Sequence, residues 1–448
     1  MKDGEQTNSF TKMKSRILIV GAGPAGVSTA LFLAKNNIPS TLIDKEFFPR
    51  DKICGDGLSG WVISMLHKLD MGLVEELTAE SGSLDSWGIK FYSPNMKHLT
   101  IPYQFHKRPN DAPGFIIRRK EFDNLLIKKV KENPLISLHE GVKITEYNTN
   151  NEGLELKDES GKKTFTGDMV VFADGATSRF AKNPGGFKKD DRHFATGLRV
   201  YYRGLKGYGL GIKEETIRVK DKDTDEGVGV RGGENGARNA VEFYFLRSIL
   251  PGYFWIFPLP NGDANVGVGI STQVMKKKKI NLKTELFRAI SDIPELKERF
   301  KDAEQVGPVQ AWSLPLGSKK QSLSGDRFLL AGDAASLIDP STGEGVGNAM
   351  NSGFHAAEHL ADCLNQNSFD AAFNKKYDTR IYDKLWNELK LSTSIQKLMA
   401  RRRLFNFLFN RAVKSEYLRK SLTRMIDNLD ERKKLKNPIY YLRVLIGK

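Results

Sequence analysis

Apolar residues near the start of the chain come in short unbroken runs. Ile17–Val20 reads ILIV, turns through Gly21-Ala22-Gly23-Pro24-Ala25-Gly26, and continues as the helix-compatible Val27–Ala34. Ser40–Ile43 is another strand-like run and ends in Asp44. Helical periodicity covers Trp61–Leu77, Ser83–Ile101 alternates in the manner of strands, and Ile116–Val130 starts extended and becomes an amphipathic helix. Turn-punctuated strands follow from Ile136 to Thr166, and Asp168–Phe172 closes on Ala173-Asp174-Gly175. From about His193 to Ser271 the pattern is antiparallel: ATGLRVYYRG, AVEFYFL, GYFWIFPLP and ANVGVGIS, divided by Gly/Asn turns. Leu282–Phe300 reads as one helix, and Phe328–Leu330 as a returning strand.

This order predicts an α/β protein built from three parts. A Rossmann-like dinucleotide-binding domain takes residues 14–82, 116–185 and 306–360. An inserted, mostly antiparallel β-sheet substrate domain takes 83–115 and 186–305, and a basic helical tail takes 361–448. A cofactor held by both ends of a sequence, with a sheet inserted between, places the chemistry at the domain interface.

Composition narrows the class. The chain has 448 residues, 40% hydrophobic and 28% charged, which suits a soluble globular protein with a large core. Two cysteines, Cys54 and Cys363, form no disulfide framework and suggest a reducing compartment. Residues Met1–Lys14 show no secretory signal. Ile17–Ala34 is uncharged over eighteen residues, but its glycines and proline make it strand, turn and helix, so no membrane-crossing segment is expected. The net charge of +16 is concentrated at one end: Gln396–Lys448 holds 15 Lys/Arg against 4 Asp/Glu. Arg401-Arg402-Arg403 stands directly before the apolar run Leu404–Phe409, and Ile439–Leu442 is a second apolar patch. Such a tail suits either an anionic membrane surface or packing on its own protein. No nucleic-acid motif accompanies the charge, so no nucleic acid is expected. The expected location is cytoplasmic, peripheral on the inner membrane face; the sequence does not indicate an oligomeric state, and no metal site is expected.

The first turn has the dinucleotide fingerprint: glycines for the turn, close approach to a pyrophosphate, tight helix packing, and an acid, Asp44, placed for a ribose hydroxyl. The second motif is Phe328–Gly353, FLLAGDAASLIDPSTGEGVGNAMNSG. Gly343, Gly345 and Gly347 let a flat ring approach the backbone, and the helix that follows directs unpaired N–H groups and its positive end toward that ring. Asp333 is placed to accept from a polyol hydroxyl.

Five segments together resemble the geranylgeranyl reductases, within the wider group of FAD enzymes similar to p-hydroxybenzoate hydroxylase. They are GAGPAG at Gly21–Gly26, PRDKICGDGLS at Pro49–Ser59, RKEFDNLL at Arg119–Leu126, YFWIFP at Tyr253–Pro258 with NVGVGI after it, and GDAASLIDPSTGEGVGNAM at Gly332–Met350. The resemblance implies FAD as cofactor. Gly21, Gly23 and Gly26, with Ala22, Pro24 and Ala25 between them, would cradle the pyrophosphate, and Asp44, with Lys45 beside it, would meet the adenosine ribose. Arg50 and Lys52 would lie on a loop near the flavin, and Arg119 would reach the phosphate or ribityl region. Asp174 would support dinucleotide and fold, Gly332-Asp333 the ribityl chain, and Gly343, Gly345, Val346 and Gly347 the isoalloxazine. Cys54 matches the family's active-site cysteine. The family often has Gly where this chain has Asp56, and a carboxylate there would disfavour an anionic reduced flavin or supply a proton.

The implied reaction is saturation of isolated C=C bonds in a prenyl chain on a lipid or quinone, with NAD(P)H or ferredoxin as reductant. An isolated alkene is not polarised, so a proton added at one carbon builds cation character at the other, where hydride arrives. That chemistry needs an apolar tunnel, a proton donor and electron-rich faces. Tyr253, Trp255 and Phe257 alternate along a predicted strand and would form one wall. Two other readings compete: a flavin-dependent monooxygenase or halogenase, and a non-catalytic basic adaptor at membranes or nucleic acid. Halogenases carry Trp-x-Trp-x-Ile-Pro where this chain has Tyr253–Pro258.

Overall fold

The structure, a computed structural model, describes residues 11–415 apart from 71, 81, 104–111, 151, 208–214, 220–227 and 233–238. Ile17–Val20 is buried at every position because it lies inside a sheet covered on both faces. That six-stranded sheet runs in the order Ser324–Gly325, Phe328–Leu330, Met169–Phe172, Ile17–Val20, Ser40–Ile43, Ile136–His139. All its pairings are parallel except the first. Its core takes in helices Pro24–Lys35, Arg119–Glu132 and Val346–Gln366, together with Leu156 and Phe165 from a separate four-stranded sheet. The late strand Phe328–Leu330 therefore returns to the first sheet, as the α/β reading requires.

The second core lies under a seven-stranded sheet ordered Glu304–Pro315, Phe194–Arg203, Ala264–Ser271, Tyr253–Pro258, Val241–Tyr244, Gly88–Tyr92, His98–Pro102. It is antiparallel except where Val241–Tyr244 runs parallel to Gly88–Tyr92. Phe254 and Ile256 point into that core with Leu282, Leu286 and Leu296. The alternate residues Tyr253, Trp255 and Phe257 are half-buried on the opposite face. Period-two alternation thus assigns one side of the strand to stability and leaves the other for the cavity.

Three expectations change. The helix expected over Leu282–Phe300 is two, Leu282–Asp292 and Pro294–Phe300, because Pro294 cannot donate to a preceding turn and starts a new helix instead. Trp61–Leu77 likewise divides into Gly60–Leu69 and Gly72–Ala79. Glu304–Pro315 pairs along Phe194–Arg203, so this stretch belongs to the antiparallel sheet and the third segment of the dinucleotide domain begins after it, not at 306. The tail forms helices Ala371–Met399 and Arg402–Lys414. The rest of it, with the Ile439–Leu442 patch, lies outside the described residues.

The two glycine-rich segments meet because their helices touch. A Cβ on Gly353 of helix Val346–Gln366 would stand 2.3 Å from the Ala25 carbonyl oxygen and 3.0 Å from the Ser28 Cβ. Neither backbone can retreat without disturbing the sheet beneath. Gly353→Ala should therefore lower the unfolding free energy by about 1–3 kcal/mol, read from urea denaturation; an unchanged midpoint would show that the helices have slack.

Candidate active site

One continuous cavity of ≈ 2690 Å³ extends between the Gly21–Gly23 turn and helix Arg402–Lys414. Of the candidate residues, Ala22, Gly26 and Gly347 do not line it; the others do. At its polar end, strand Ile17–Val20 stops at Gly21, whose φ of +103 suits glycine. A Cβ on Gly26 would collide with the Gly21 carbonyl oxygen at 1.8 Å, so the helix starts hard against the turn. A Cβ on Gly23 would meet nothing within 4 Å, which leaves open space before the N-terminus of helix Pro24–Lys35. That terminus has no side-chain cap and no acid in its first turn, so its N–H groups are available to a phosphate. Asp44 accepts from the Ala22 N–H at 2.5 Å and the Glu46 N–H at 2.8 Å, which fixes it at the mouth of the turn. Lys45 is exposed beside Glu46.

Buried groups without partners mark the same end. Among the described residues, Lys52 Nζ is buried with no hydrogen-bond acceptor, and it stands 3.2 Å from the centroid of the Trp312 ring. Burial lowers its ammonium to about 8, against the pull of Asp333. Asp174 Oδ1 is also buried and unpartnered among the described residues, and burial raises this carboxyl to about 6. Burial raises Asp333 as well, opposed by Lys52 and Arg119. Arg119 donates twice to Asp123, at 2.9 Å each, and Arg50 donates to the same carboxylate at 2.8 Å. An open cradle, a free helix N-terminus, and orphaned cationic and anionic groups are the partners an FAD molecule needs, so the residues present fit that cofactor.

Gly343, with φ +72, and Gly345 precede helix Val346–Gln366. Between them Glu344 accepts from the Gly347 N–H at 2.6 Å and from Ser59 at 3.4 Å. Burial, with Asp339 and Glu388 nearby, raises its carboxyl to about 7. Glu344 was passed over in the sequence because it reads as a spacer between glycines.

Cys54 sits where the two sheets approach each other. The Arg119 guanidinium lies beside it. Its carbonyl accepts from Asn265 Nδ2 at 2.8 Å; the same amide donates to Asp56 at 2.7 Å, while Asn265 Oδ1 accepts from Trp255 Nε1 at 3.0 Å. Asp56 does not face the cavity, which alters the expectation of a carboxylate near the flavin. It is fully buried, with φ +66, and accepts from Tyr201 at 2.7 Å and from the Arg119 N–H at 3.2 Å. The left-handed backbone explains why glycine suits this position. Burial still lifts the Asp56 carboxyl to about 6.

The aromatic strand forms the next section of wall. Tyr253 donates to the Thr342 carbonyl, which joins the strand to the glycine loop. Phe257 lies against Gly55 and Gly57 of the Cys54 loop, where added Cβ atoms would come within 3.1 and 3.0 Å of its ring. Phe243 packs edge-on against Tyr253 and Phe257 with centroids 5.0 and 5.4 Å apart. Phe91 and Phe245 continue the surface to Phe405 of the terminal helix. Phe243, Phe245 and Trp312 were not singled out in the sequence, where each reads as ordinary strand core.

Two protein families match parts of this chain. Residues 14–196 match the FAD binding domain family, and 230–301 the geranylgeranyl reductase catalytic domain. The digeranylgeranylglycerophospholipid reductase of Thermoplasma volcanium is 27% identical over 383 residues, 82% of this chain and 83% of that one. The menaquinone reductase of Mycobacterium tuberculosis is 27% identical over 356 residues, 77% and 76%. A solved geranylgeranyl bacteriochlorophyll reductase-like protein of Thermoplasma acidophilum superposes with a TM-score of 0.74 at 20% identity, over 95% of this chain and 99% of that one. Flavin-dependent halogenases share the architecture at TM-scores of 0.63 to 0.68. At these identities the structural likeness establishes the fold alone.

Two measurements probe the Asn265 junction. Asn265→Leu strands the Trp255 indole and the Cys54 carbonyl, and should cost about 1–3 kcal/mol for each group left unpaired, read from chemical denaturation. Asp56 has a folded pKa of about 6 against an ordinary 3.8, so the native state binds its proton more readily than the unfolded chain. Its unfavourable contribution is absent below the lower value, grows as pH rises between the two, and is complete above the higher. Raising the pH through this window should destabilise the parent more than Asp56→Asn; parallel curves would refute the assignment.

Proposed function

We propose that the chain is an FAD-dependent oxidoreductase of the geranylgeranyl reductase family and that it saturates isolated C=C bonds of a prenyl chain on a lipid or quinone. The observation that carries this reading is the continuity of one cavity from the glycine cradle to an aromatic channel. Bound FAD, once reduced, supplies a hydride. In this reading Gly23 and the following helix N-terminus hold the pyrophosphate, Asp44 the ribose and Asp333 the ribityl chain. Lys52 and Arg119 offset negative charge at the ring.

Cys54 holds the proton that goes to one alkene carbon. The Arg119 guanidinium beside it steadies the charge left behind. The π pair forms the new C–H bond, and positive charge develops at the neighbouring carbon. Tyr253, Trp255 and Phe257 present ring faces to that charge, an attraction of about 0.5–2 kcal/mol per well-placed ring. The apolar wall also keeps out water, which would capture the cation as an alcohol. Electrons come from NAD(P)H or ferredoxin. The basic C-terminal region gives the enzyme a peripheral site on an anionic membrane; no helix among the described residues is long and apolar enough to cross one.

Fold likeness to halogenases supports a second reading, oxygen-dependent oxidation of an apolar or aromatic substrate. Anaerobic turnover separates the two: reduction yields a product heavier by one H₂ per double bond, whereas oxidation requires O₂ and inserts oxygen or halogen. Cys54→Ala should slow prenyl-dependent oxidation of the reduced flavin by about 10²–10⁴-fold and leave FAD affinity nearly unchanged. A single-turnover rate equal to the parent's would remove Cys54 from the chemistry.

A further inference from the structure

Helix Arg402–Lys414 has apolar residues on two sides, and only one of them packs against other described residues. Phe405, Leu408, Phe409 and Ala412 pack toward Leu99, Ile101 and Phe91 on the edge of the antiparallel sheet. Arg403, Leu404, Phe407, Arg411 and Lys414 are all exposed. At 3.6 residues per turn they share an arc of about 100°. Leu404 is 40% exposed and Phe407 42%, and with Phe47 they are the large apolar side chains most open to solvent among the described residues. The helix has no acidic residue, and none of its exposed cations forms an ion pair among the described residues.

A large apolar pair ringed by unpaired cations is poorly suited to water and well suited to the boundary between acyl chains and anionic headgroups. Residues 416–448 add nine Lys/Arg against four Asp/Glu. Leu404 and Phe407 also border the cavity, so this face is continuous with its mouth. A prenyl chain leaving a bilayer would cross water to reach any other opening.

We infer that the outward face of helix Arg402–Lys414 seats on an anionic bilayer, with Leu404 and Phe407 among the acyl chains and the cavity mouth against the membrane. The docking stands on charge and exposure; what enters the mouth rests on the prenyl reading above.

The test uses full-length holoenzyme and vesicles of phosphatidylcholine, with or without phosphatidylglycerol. Cosedimentation should require phosphatidylglycerol and fall as salt rises. Both Arg403→Glu/Arg411→Glu and Leu404→Ser/Phe407→Ser should lower vesicle partitioning at least about tenfold. The charge-reversed variant should keep parental activity on a short, water-soluble prenyl substrate while losing activity on a long-chain substrate embedded in vesicles. Parental binding by both variants, or equal binding of the parent to both vesicle types or to neither, would overturn the proposal. Anionic-vesicle binding as expected, with no reduction of either substrate by the parent, would uphold the docking and sink the prenyl reading.

Discussion

The site depends on a hydrogen-bond junction at Asn265. The two sheets have separate hydrophobic cores, and packing within each says little about how the Cys54 loop sits between them. Asn265, fully buried on strand Ala264–Ser271, crosses that gap with its amino group and holds its own sheet's Trp255 with its oxygen. Its amino group reaches the Cys54 carbonyl and the Asp56 carboxylate, and its oxygen receives the Trp255 indole. A neutral amide suits this place because it donates and accepts at once. An aspartate could not donate, and a leucine would leave several buried groups unpaired. The loop and the aromatic wall are therefore positioned by one side chain that touches neither cofactor nor substrate space.

The junction also divides the cavity electrostatically. On one side lie Lys52, Asp333, Asp174 and the arginines held by Asp123, a dry set of charges suited to a dinucleotide. On the other, phenylalanines continue to the terminal helix, with ring contacts but little for a polar ligand to bond. Cys54 stands at the boundary, so a hydride source on the polar side and an alkene on the apolar side would meet beside it.

Much of this was legible in the sequence wherever the signal was local. The strand-turn-helix at Ile17–Ala34 and the glycine loop after Asp333 announce themselves through residues that few other conformations require. The alternation of Tyr253, Trp255 and Phe257 does the same for one sheet face. What could not be read was pairing across long separations. Nothing near Asn265 marks it as the partner of a loop some two hundred residues earlier. Trp312 resembles core until Lys52 is found over its ring. The membership of Glu304–Pro315 in the antiparallel sheet follows from its partner strand, not from its own pattern. The run Leu404–Phe409 left two readings open, membrane or self-packing, and the structure shows why a hydrophobic count could not decide. One face is packed while another stays exposed.

Asp56 shows how a departure from a family pattern can mislead when judged by residue type alone. An extra carboxylate beside an active-site cysteine suggests a new acid in the chemistry. Its backbone, at φ +66, instead reports a turn where glycine is the ordinary choice, and the side chain turns away from the cavity. Aspartate is tolerated there because Tyr201, Asn265 and the Arg119 N–H supply donors to both of its oxygens. A group so fully engaged is poorly placed to release a proton to an alkene, since every donor aimed at it would have to find a new acceptor. Glu344 differs: burial raises it to about 7, and it lines the cavity on the loop before the helix. It sits beside the proposed ring site, and Cys54 lies on the loop beneath Phe257 and beside Arg119. The arrangement thus sets a carboxyl raised by burial on the glycine loop apart from the thiol on the neighbouring loop, and Asp56 fastens that second loop to Asn265 and Tyr201.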